Sequence, residues 1–576
     1  MIKLFRHLKP YKWLVIAAMA LVFFQSLAEL YLPTLMSDIV NTGVVHGDTA
    51  YIWKIGGYML LVAIGGMACA IGGSFFSSKA AMGFGKSMRG KVFNHVSNFS
   101  LEEFDKIGTA SMITRTTNDI TQVQQVLIMM LRMMMMAPMM CIGGVIMAVS
   151  KDATLTLVLV VVIPILAAII LLIVRKGIPL FKSIQKKIDR LNLVMREELT
   201  GIRVIRSFNR MEHETKRFDE ANKDLTNTMI KVNKLMAYLM PVVMLIMNLS
   251  SVAIIWFGGL RIDAEKMAVG DLMAFLQYAM QIMFSLVMVS MMFVLIPRAS
   301  ASAVRINEVL DMEPVIEDPA QSKTKRSSMR GHIEFQDVTF SYPGAEQPAV
   351  QNISFIANPG ETTAIIGGTG SGKSTMINLI PRFYDVESGH VLVDGIDVRD
   401  IPQHELRQKI GFVPQKAVLF TGTIADNIRY GKEDATDEEV QHAAEIAQAA
   451  GFISRMEDGY DSQIAQGGTN VSGGQKQRLS IARALVRDAE IYIFDDSFSA
   501  LDFKTDAKLR AALKNETKQS TVLIVAQRVS TVMNADRIIV LNESKVAGVG
   551  THHELMETCD VYREIVYSQL SEEEIA

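Results

Sequence analysis

Six apolar runs, each near the twenty residues that an α-helix needs to cross a bilayer, constrain this chain more than any other feature. They extend over about Trp13–Leu32, Trp53–Phe76, Val126–Val149, Ala153–Val174, Tyr238–Leu260 and Leu272–Ile296. The first follows Lys3, Arg6, Lys9 and Lys12, as a signal peptide would, but it is too long for a signal's apolar core. It reads as a true first membrane helix, preceded by a short amphipathic segment at the surface.

The 576 residues are nearly neutral, with 58 Lys+Arg against 60 Asp+Glu, until the charge is divided along the chain. Residues 1–300 hold 31 basic and 19 acidic side chains, and residues 301–576 hold 27 and 41. The basic surplus lies in the segments 77–125 and 175–237, whereas the connections Pro33–Ile52, Ser150–Asp152 and Arg261–Asp271 carry only Lys151, Arg261 and Lys266. Basic loops stay on the cytoplasmic side, so both termini are expected in the cytoplasm. The two basic segments are long, helix-forming and poor in proline, which predicts membrane helices extended into the cytoplasm with something docked on their tips. Cys69, Cys141 and Cys559 are too scattered for a disulfide framework or a metal cluster. The acidic second half has no basic stripe, which excludes a nucleic-acid partner.

Two ionisable residues fall inside apolar runs, Glu29 in the outer part of the first and Arg132 near the inner end of the third. Arg132 reads as snorkelling to the inner headgroups. Glu29 has two readings, a packed structural residue or a counter-charge facing a water-filled cavity. Of the 37 methionines, 31 precede residue 300, and Met273, Met280, Met283 and Met291 share a face of the sixth run at helical spacing. Such a stripe is either helix-packing filler or a surface that repacks around varied hydrophobic ligands. Glu29, Met280, Met283 and Met291 are the candidate substrate residues.

The second half changes character. A Ser/Lys-rich connection at 311–330 separates a membrane domain, 1–310, from a domain at 331–576 in which β-rich runs alternate with helical stretches, as in α/β nucleotide-binding folds. The run Thr362–Ile366 leads into Gly367, Gly368, Thr369, Gly370, Ser371, Gly372, Lys373, Ser374 and Thr375, a phosphate-binding loop in its required strand–loop–helix setting. Its backbone N–H groups turn onto phosphate oxygens, Lys373 reaches the β- and γ-phosphates, and the Ser374 hydroxyl ligates Mg²⁺. The apolar strand Ile491–Asp495 ends in a carboxylate suited to holding Mg²⁺ through water. ATP and Mg²⁺ are therefore the expected cofactors.

The run Val471-Ser472-Gly473-Gly474-Gln475, twenty residues before that strand, resembles the signature of ABC transporters, in which Leu is commoner at the position of Val471. Around it, Tyr342 resembles the aromatic that stacks on adenine in that family. Gln415 resembles the glutamine that senses Mg²⁺, and Ser499-Ala-Leu-Asp502 the loop that communicates across the ATPase dimer. Phe104–Gly108 with Thr114–Asp119, and Thr200–Phe208, look like the two intracellular loops of ABC exporters, which end in short coupling helices. The resemblance runs from the first helix to about residue 570. It implies a multi-domain chain, a six-helix transmembrane domain fused to an α/β P-loop ATPase, that is half of a dimeric exporter. Each ATP would lie between one chain's P-loop and the signature Ser472–Gln475 of the other.

Two positions depart from the family pattern. The family has Glu after the strand carboxylate and His in Ala-His-Arg; this chain has Asp496 and Gln527. Aspartate keeps the charge but is one methylene short, and glutamine hydrogen-bonds without carrying a proton. Asp496 and Gln527 are thus the candidate catalytic pair, both weakened. The resemblance implies a heterodimer with a second half-transporter in a bacterial plasma membrane, among membrane lipids, exporting amphipathic drugs or other hydrophobic compounds. A lipid or lipopeptide exporter, and a membrane ATP sensor that moves nothing, are the rival readings.

Overall fold

A computed structural model describes residues 1–319 and 330–570, apart from the side chains of Ile2, Val174, Met291, Phe293 and Val294. Residues 320–329, half of the expected connection at 311–330, thus lie outside the described residues, and so does the Met291 side chain. The chain divides into two compact units, Met1–Ser97 with Thr109–Glu313, and Asn98–Gly108 with Pro314–Ala576.

The first unit is built of six long helices: α1 (Lys12–Asp38), α2 (Thr49–Ser97), α3 (Ile120–Lys151), α4 (Thr156–Ser207), α5 (Met211–Asp263) and α6 (Val269–Leu310). All six are long and apolar enough to cross a membrane. Helices α2 to α5 outlast their apolar runs because the adjoining basic segments 77–125 and 175–237 keep helix-forming residues; α4 alone has 52 residues. Helices α1, α2, α3 and α6 pack against one another, while α4 and α5 pack mainly as a pair. Polar side chains fasten the ends of this apolar bundle. At one end Lys151 and Ser37 both bond the Asp271 carboxylate, at 2.8 and 2.7 Å, tying α3 and α1 to α6. At the other, buried Asp119 accepts from Arg305 Nε at 2.8 Å and Ser302 Oγ at 2.9 Å. The second of the two long basic segments corrects the expectation of a short coupling helix. Helix α4 runs through to Ser207, and α5 restarts at Met211 after a tight turn with Asn209 in the left-handed region (φ 52°).

The second unit carries twelve strands among its described residues: β1 (Ile333–Phe340), β2 (Val350–Ala357), β3 (Thr362–Gly367), β4 (Ser388–Val393), β5 (Ile396–Asp397), β6 (Ile410–Val413), β7 (Gly422–Thr423), β8 (Gln463–Ile464), β9 (Ile491–Asp495), β10 (Thr521–Val525), β11 (Arg537–Asn542) and β12 (Lys545–Gly550). An antiparallel sheet runs β2-β1-β4-β5, and a six-stranded sheet runs β12-β11-β3-β10-β9-β6. In the latter, β11, β3, β10, β9 and β6 are parallel. Strands β9 and β10 are buried at every position, as the inner strands of a parallel sheet covered on both faces must be. Two apolar cores flank that sheet, one around Phe494 and Ile524, the other around Ile365 and Leu523.

The short helix Leu101–Ile107 belongs to this second unit although its sequence neighbours belong to the first. Ser100 and Glu103 close its N-terminus as a capping box, and the free Glu103 oxygen accepts from Val315 N at 2.9 Å. Its Asp105 receives a long hydrogen bond from Tyr384 Oη at 3.4 Å.

Candidate nucleotide site

Four neighbouring parallel strands, β3, β10, β9 and β6, end at one edge of the six-stranded sheet, and the residue groups singled out in the sequence follow their carboxyl ends. The P-loop follows β3, Gln527 follows β10, Asp495 closes β9 with Asp496 behind it, and Gln415 follows β6. A parallel sheet delivers the ends of all its strands to one side, so Gly367 and Gln527, 160 residues apart, meet there without any local motif linking them.

In the P-loop, Gly368, Thr369 and Gly370 are exposed, while Ser371, Lys373 and Thr375 are buried. Gly372 lies in the left-handed region (φ 94°), where a Cβ would stand 2.3 Å from the Ala349 carbonyl oxygen, so glycine is required. Helix α7 (Lys373–Leu379) starts directly after it. The Lys373 ammonium folds back onto its own loop, donating to the carbonyls of Gly367 at 2.9 Å and Gly368 at 2.6 Å. Burial lowers its pKa, and the Asp496 and Asp495 carboxylates oppose that shift.

The Ser374 hydroxyl donates to Asp495 Oδ1 at 2.9 Å. Burial holds the Asp495 carboxyl above its ordinary range, with the Asp496 charge acting in the same sense, against the Ser374 bond and Lys373. Burial likewise raises Asp496, opposed by the Gln415 hydrogen bond and the Arg528 and Lys373 charges. Asp496 itself adopts a left-handed backbone (φ 45°), which turns the chain sharply away from β9. Its Oδ2 accepts from Gln415 Nε2 at 3.4 Å and from Gln527 Nε2 at 3.3 Å. The two positions that depart from the family pattern are therefore in contact, on a single carboxylate oxygen.

Tyr342 stands exposed at the edge of the site, its hydroxyl 3.1 Å from Thr375 Oγ1 and its ring edge-on to Phe340 and Tyr384. The segment Ser472–Gln475 forms the start of helix α8 (Gly473–Leu485). Ser472 and Gln475 cap it reciprocally, and Ser472 and Gly473 are left exposed. Among the described residues no hydrogen bond joins this segment to the P-loop. Sequence reasoning missed the support behind Gln527: Gln569, near the C-terminus, donates to the Gln527 carbonyl at 2.8 Å and accepts from Val529 N at 2.9 Å. It also missed Tyr384, the ring between Tyr342 and the short helix Leu101–Ile107. Burial and the adjacent Asp105 push its hydroxyl up to about 12. Neither residue carries a periodic or motif signal.

In the helix bundle, Glu29 and Met280 line one cleft together. Met283 does not join them. Three positions further on it points roughly 60° round the helix from Met280, and it is fully buried in the bundle core beside Phe275 and Tyr278. The stripe expected on this helix thus divides between core and cleft.

The model for the ABC transporter transmembrane region matches residues 15–286, and that for the ABC transporter matches residues 350–499. The chain belongs to the ABC transporter family. An uncharacterised ABC transporter ATP-binding protein of Mycobacterium tuberculosis is 45% identical over 567 residues, covering 98% of this chain and 97% of that protein. An ATP-dependent lipid A-core flippase of Hahella chejuensis is 33% identical over 513 residues, 89% of this chain and 87% of that protein. A solved bacterial Atm1-family ABC exporter with ATP bound shares the fold, at a TM-score of 0.81 over 97% of this chain and 99% of that one, with 24% identity. The protein is thus a multi-pass membrane transporter of the exporter type with its own ABC ATPase domain.

The residues present fit ATP with Mg²⁺. At Gly368 and Gly370 a Cβ would meet nothing within 4 Å, which leaves the outer wall of the loop open to a phosphate. Among the described residues no group of three or more His, Cys, Asp or Glu could hold a metal ion alone. Ser374 and Asp495, joined at 2.9 Å, offer a hydroxyl and a carboxylate, the few hard oxygen ligands that Mg²⁺ takes from a protein beside phosphates and water.

Proposed function

We propose that this transporter is the weakly hydrolysing subunit of a heterodimeric exporter of amphipathic compounds in a bacterial plasma membrane, with both termini in the cytoplasm. The observation that carries this reading is Asp496, a short carboxylate in the water-activating position whose Oδ2 is bonded by two glutamine amides. Bound ATP with Mg²⁺ supplies the transferable phosphoryl group and the metal's charge. For its part the chain provides Lys373 to neutralise phosphate, the Ser374 hydroxyl and Asp495 to hold the metal, and Tyr342 to stack on adenine. Gln415 senses the metal and bridges to Asp496. Asp496 would orient the attacking water but stops one methylene short of a near-attack position. Gln527 can steady that carboxylate and a phosphate oxygen, yet it cannot take up and release a proton as an imidazole does. Ser472–Gln475, intact and exposed at Ser472 and Gly473, complete the partner's site, where hydrolysis is fast.

Purification of the chain alone and with its partner tests the assignment. Weak ATPase alone and strong ATPase in the pair is expected, and vigorous turnover by the isolated chain that survives Asp496→Asn would overturn it. Lipid cargo is the second reading, favoured by the likeness to a protein named as a lipid A-core flippase. Vesicle assays in which an amphipathic dye moves and a fluorescent lipid does not, or the reverse, separate the two.

A further inference from the structure

The helix bundle holds a second polar site that nucleotide chemistry does not use. Between α1, α3 and α6 lies a cleft of about 450 Å³ whose walls include Glu29, Met136, Met140, Met280, Gln281 and Phe284. Glu29 brings a carboxylate into these apolar surroundings. Its Oε1 accepts from Gln25 Nε2 at 2.9 Å, and Gln281 Nε2 donates to its main-chain carbonyl at 3.2 Å. That second bond fixes the Gln281 amide and leaves its Oε1 buried with no partner. Among the described residues, no Lys or Arg pairs with Glu29 and no donor reaches its Oε2.

A carboxylate within a membrane bundle favours a compensating positive charge, and a buried carbonyl oxygen favours a donor. The Gln281 side chain touches the Glu29 main chain, so the two acceptors come from adjoining residues, and the other walls are thioethers, one aromatic ring, Gln277 and Ser285. A ligand that answers both needs a positive charge, at least two N–H groups and an apolar body. Thioethers and ring faces accommodate such a body and tolerate the cation beside it. We propose that this cleft binds amphipathic primary amines, with the ammonium head between Glu29 and Gln281 and the apolar chain along Met136, Met280 and Phe284. It rests on the export reading for its role as a cargo site, and it narrows that cargo to protonated amines over quaternary ammonium ions, which carry the charge but no N–H.

The test uses the full-length chain in phosphatidylcholine nanodiscs without nucleotide, with empty nanodiscs as the blank. Equilibrium dialysis compares radiolabelled octylamine, octyltrimethylammonium and octanol, which share a chain and differ in the head. Octylamine is expected to bind about tenfold tighter than octyltrimethylammonium and tighter still than octanol. Glu29→Gln should bring octylamine down to the level of octanol. Gln281→Leu should erase the preference for the primary amine while both cations still outbind octanol. Equal binding of the two cations by the unaltered chain, a comparison that needs no variant, overturns the proposal, as does unchanged octylamine binding in Glu29→Gln. ATP-driven efflux of a neutral amphipathic dye by the two-chain complex keeps the two readings apart. Efflux without amine preference removes the cleft assignment and leaves export standing; amine preference without efflux of dye or octylamine removes export and leaves the binding site.

Discussion

Two carboxylates in this molecule, Asp496 and Glu29, are each held by glutamine amides, and they are held for opposite ends. Asp496 sits where strand ends converge, on a backbone turned left-handed, with both of its amide partners on one oxygen. Its position is dictated by the sheet, so a change of one methylene alters what it can do. Glu29 sits in a wall of flexible thioethers, with one oxygen engaged and its neighbour Gln281 left short of a donor. Its surroundings can repack, so what it selects is a charge and a donor pattern and not one shape. The contrast teaches that a sheet edge specialises in geometry and a helix cleft in chemical class.

The sharpest way to break the comparison is at Lys373. If the sheet edge is the nucleotide site, Lys373→Ala should weaken ATP binding by roughly a hundredfold, the scale of losing a charge-assisted contact in a buried site, in a fluorescent-nucleotide titration. Amine binding to the cleft should not change. A smaller effect is expected from restoring geometry at the edge. Asp496→Glu with Gln527→His should raise turnover at this site by about tenfold or more, measured in the two-chain complex with the partner's site inactivated. No gain would mean that the shortened pair is not what slows the site.

On the membrane side the comparison predicts structural sensitivity without nucleotide effects. Asp119→Asn removes the buried charge under Arg305, whose side chain is 45% exposed and so partly screened. A loss of about 1 kcal/mol in stability is expected, read from thermal unfolding in detergent, with ATP affinity unchanged.

The smallest effect concerns the penalty stored at the edge. Burial raises the Asp495 pKa above its unfolded value, so the folded state binds the proton more tightly than the unfolded chain does. Its ionised carboxylate therefore disfavours folding fully above the folded pKa, and that penalty is relieved as pH falls through it. In the nucleotide-free chain, Asp495→Asn should raise the melting temperature modestly at neutral pH, and the gain should shrink on acidification. A lower melting temperature at neutral pH would contradict the sign.

By itself the sequence determined the elements whose causes are local. Twenty-residue apolar runs must become membrane helices because hydrocarbon leaves the backbone no other partner, and Gly370 and Gly372 of the P-loop turn at positive φ, which side-chain-bearing residues rarely adopt. The signature Ser472–Gln475 is legible for the same reason, since its capping bonds span three residues. Only the tertiary structure decided the rest. That Gln415 and Gln527 meet on Asp496 depends on strand order, which no local pattern encodes. That Gln569 braces Gln527 depends on the chain's return from its far end. A methionine stripe names one side of a helix, but which methionine faces a cleft and which the core depends on the neighbours that pack against it. Met280 and Met283 parted for that reason.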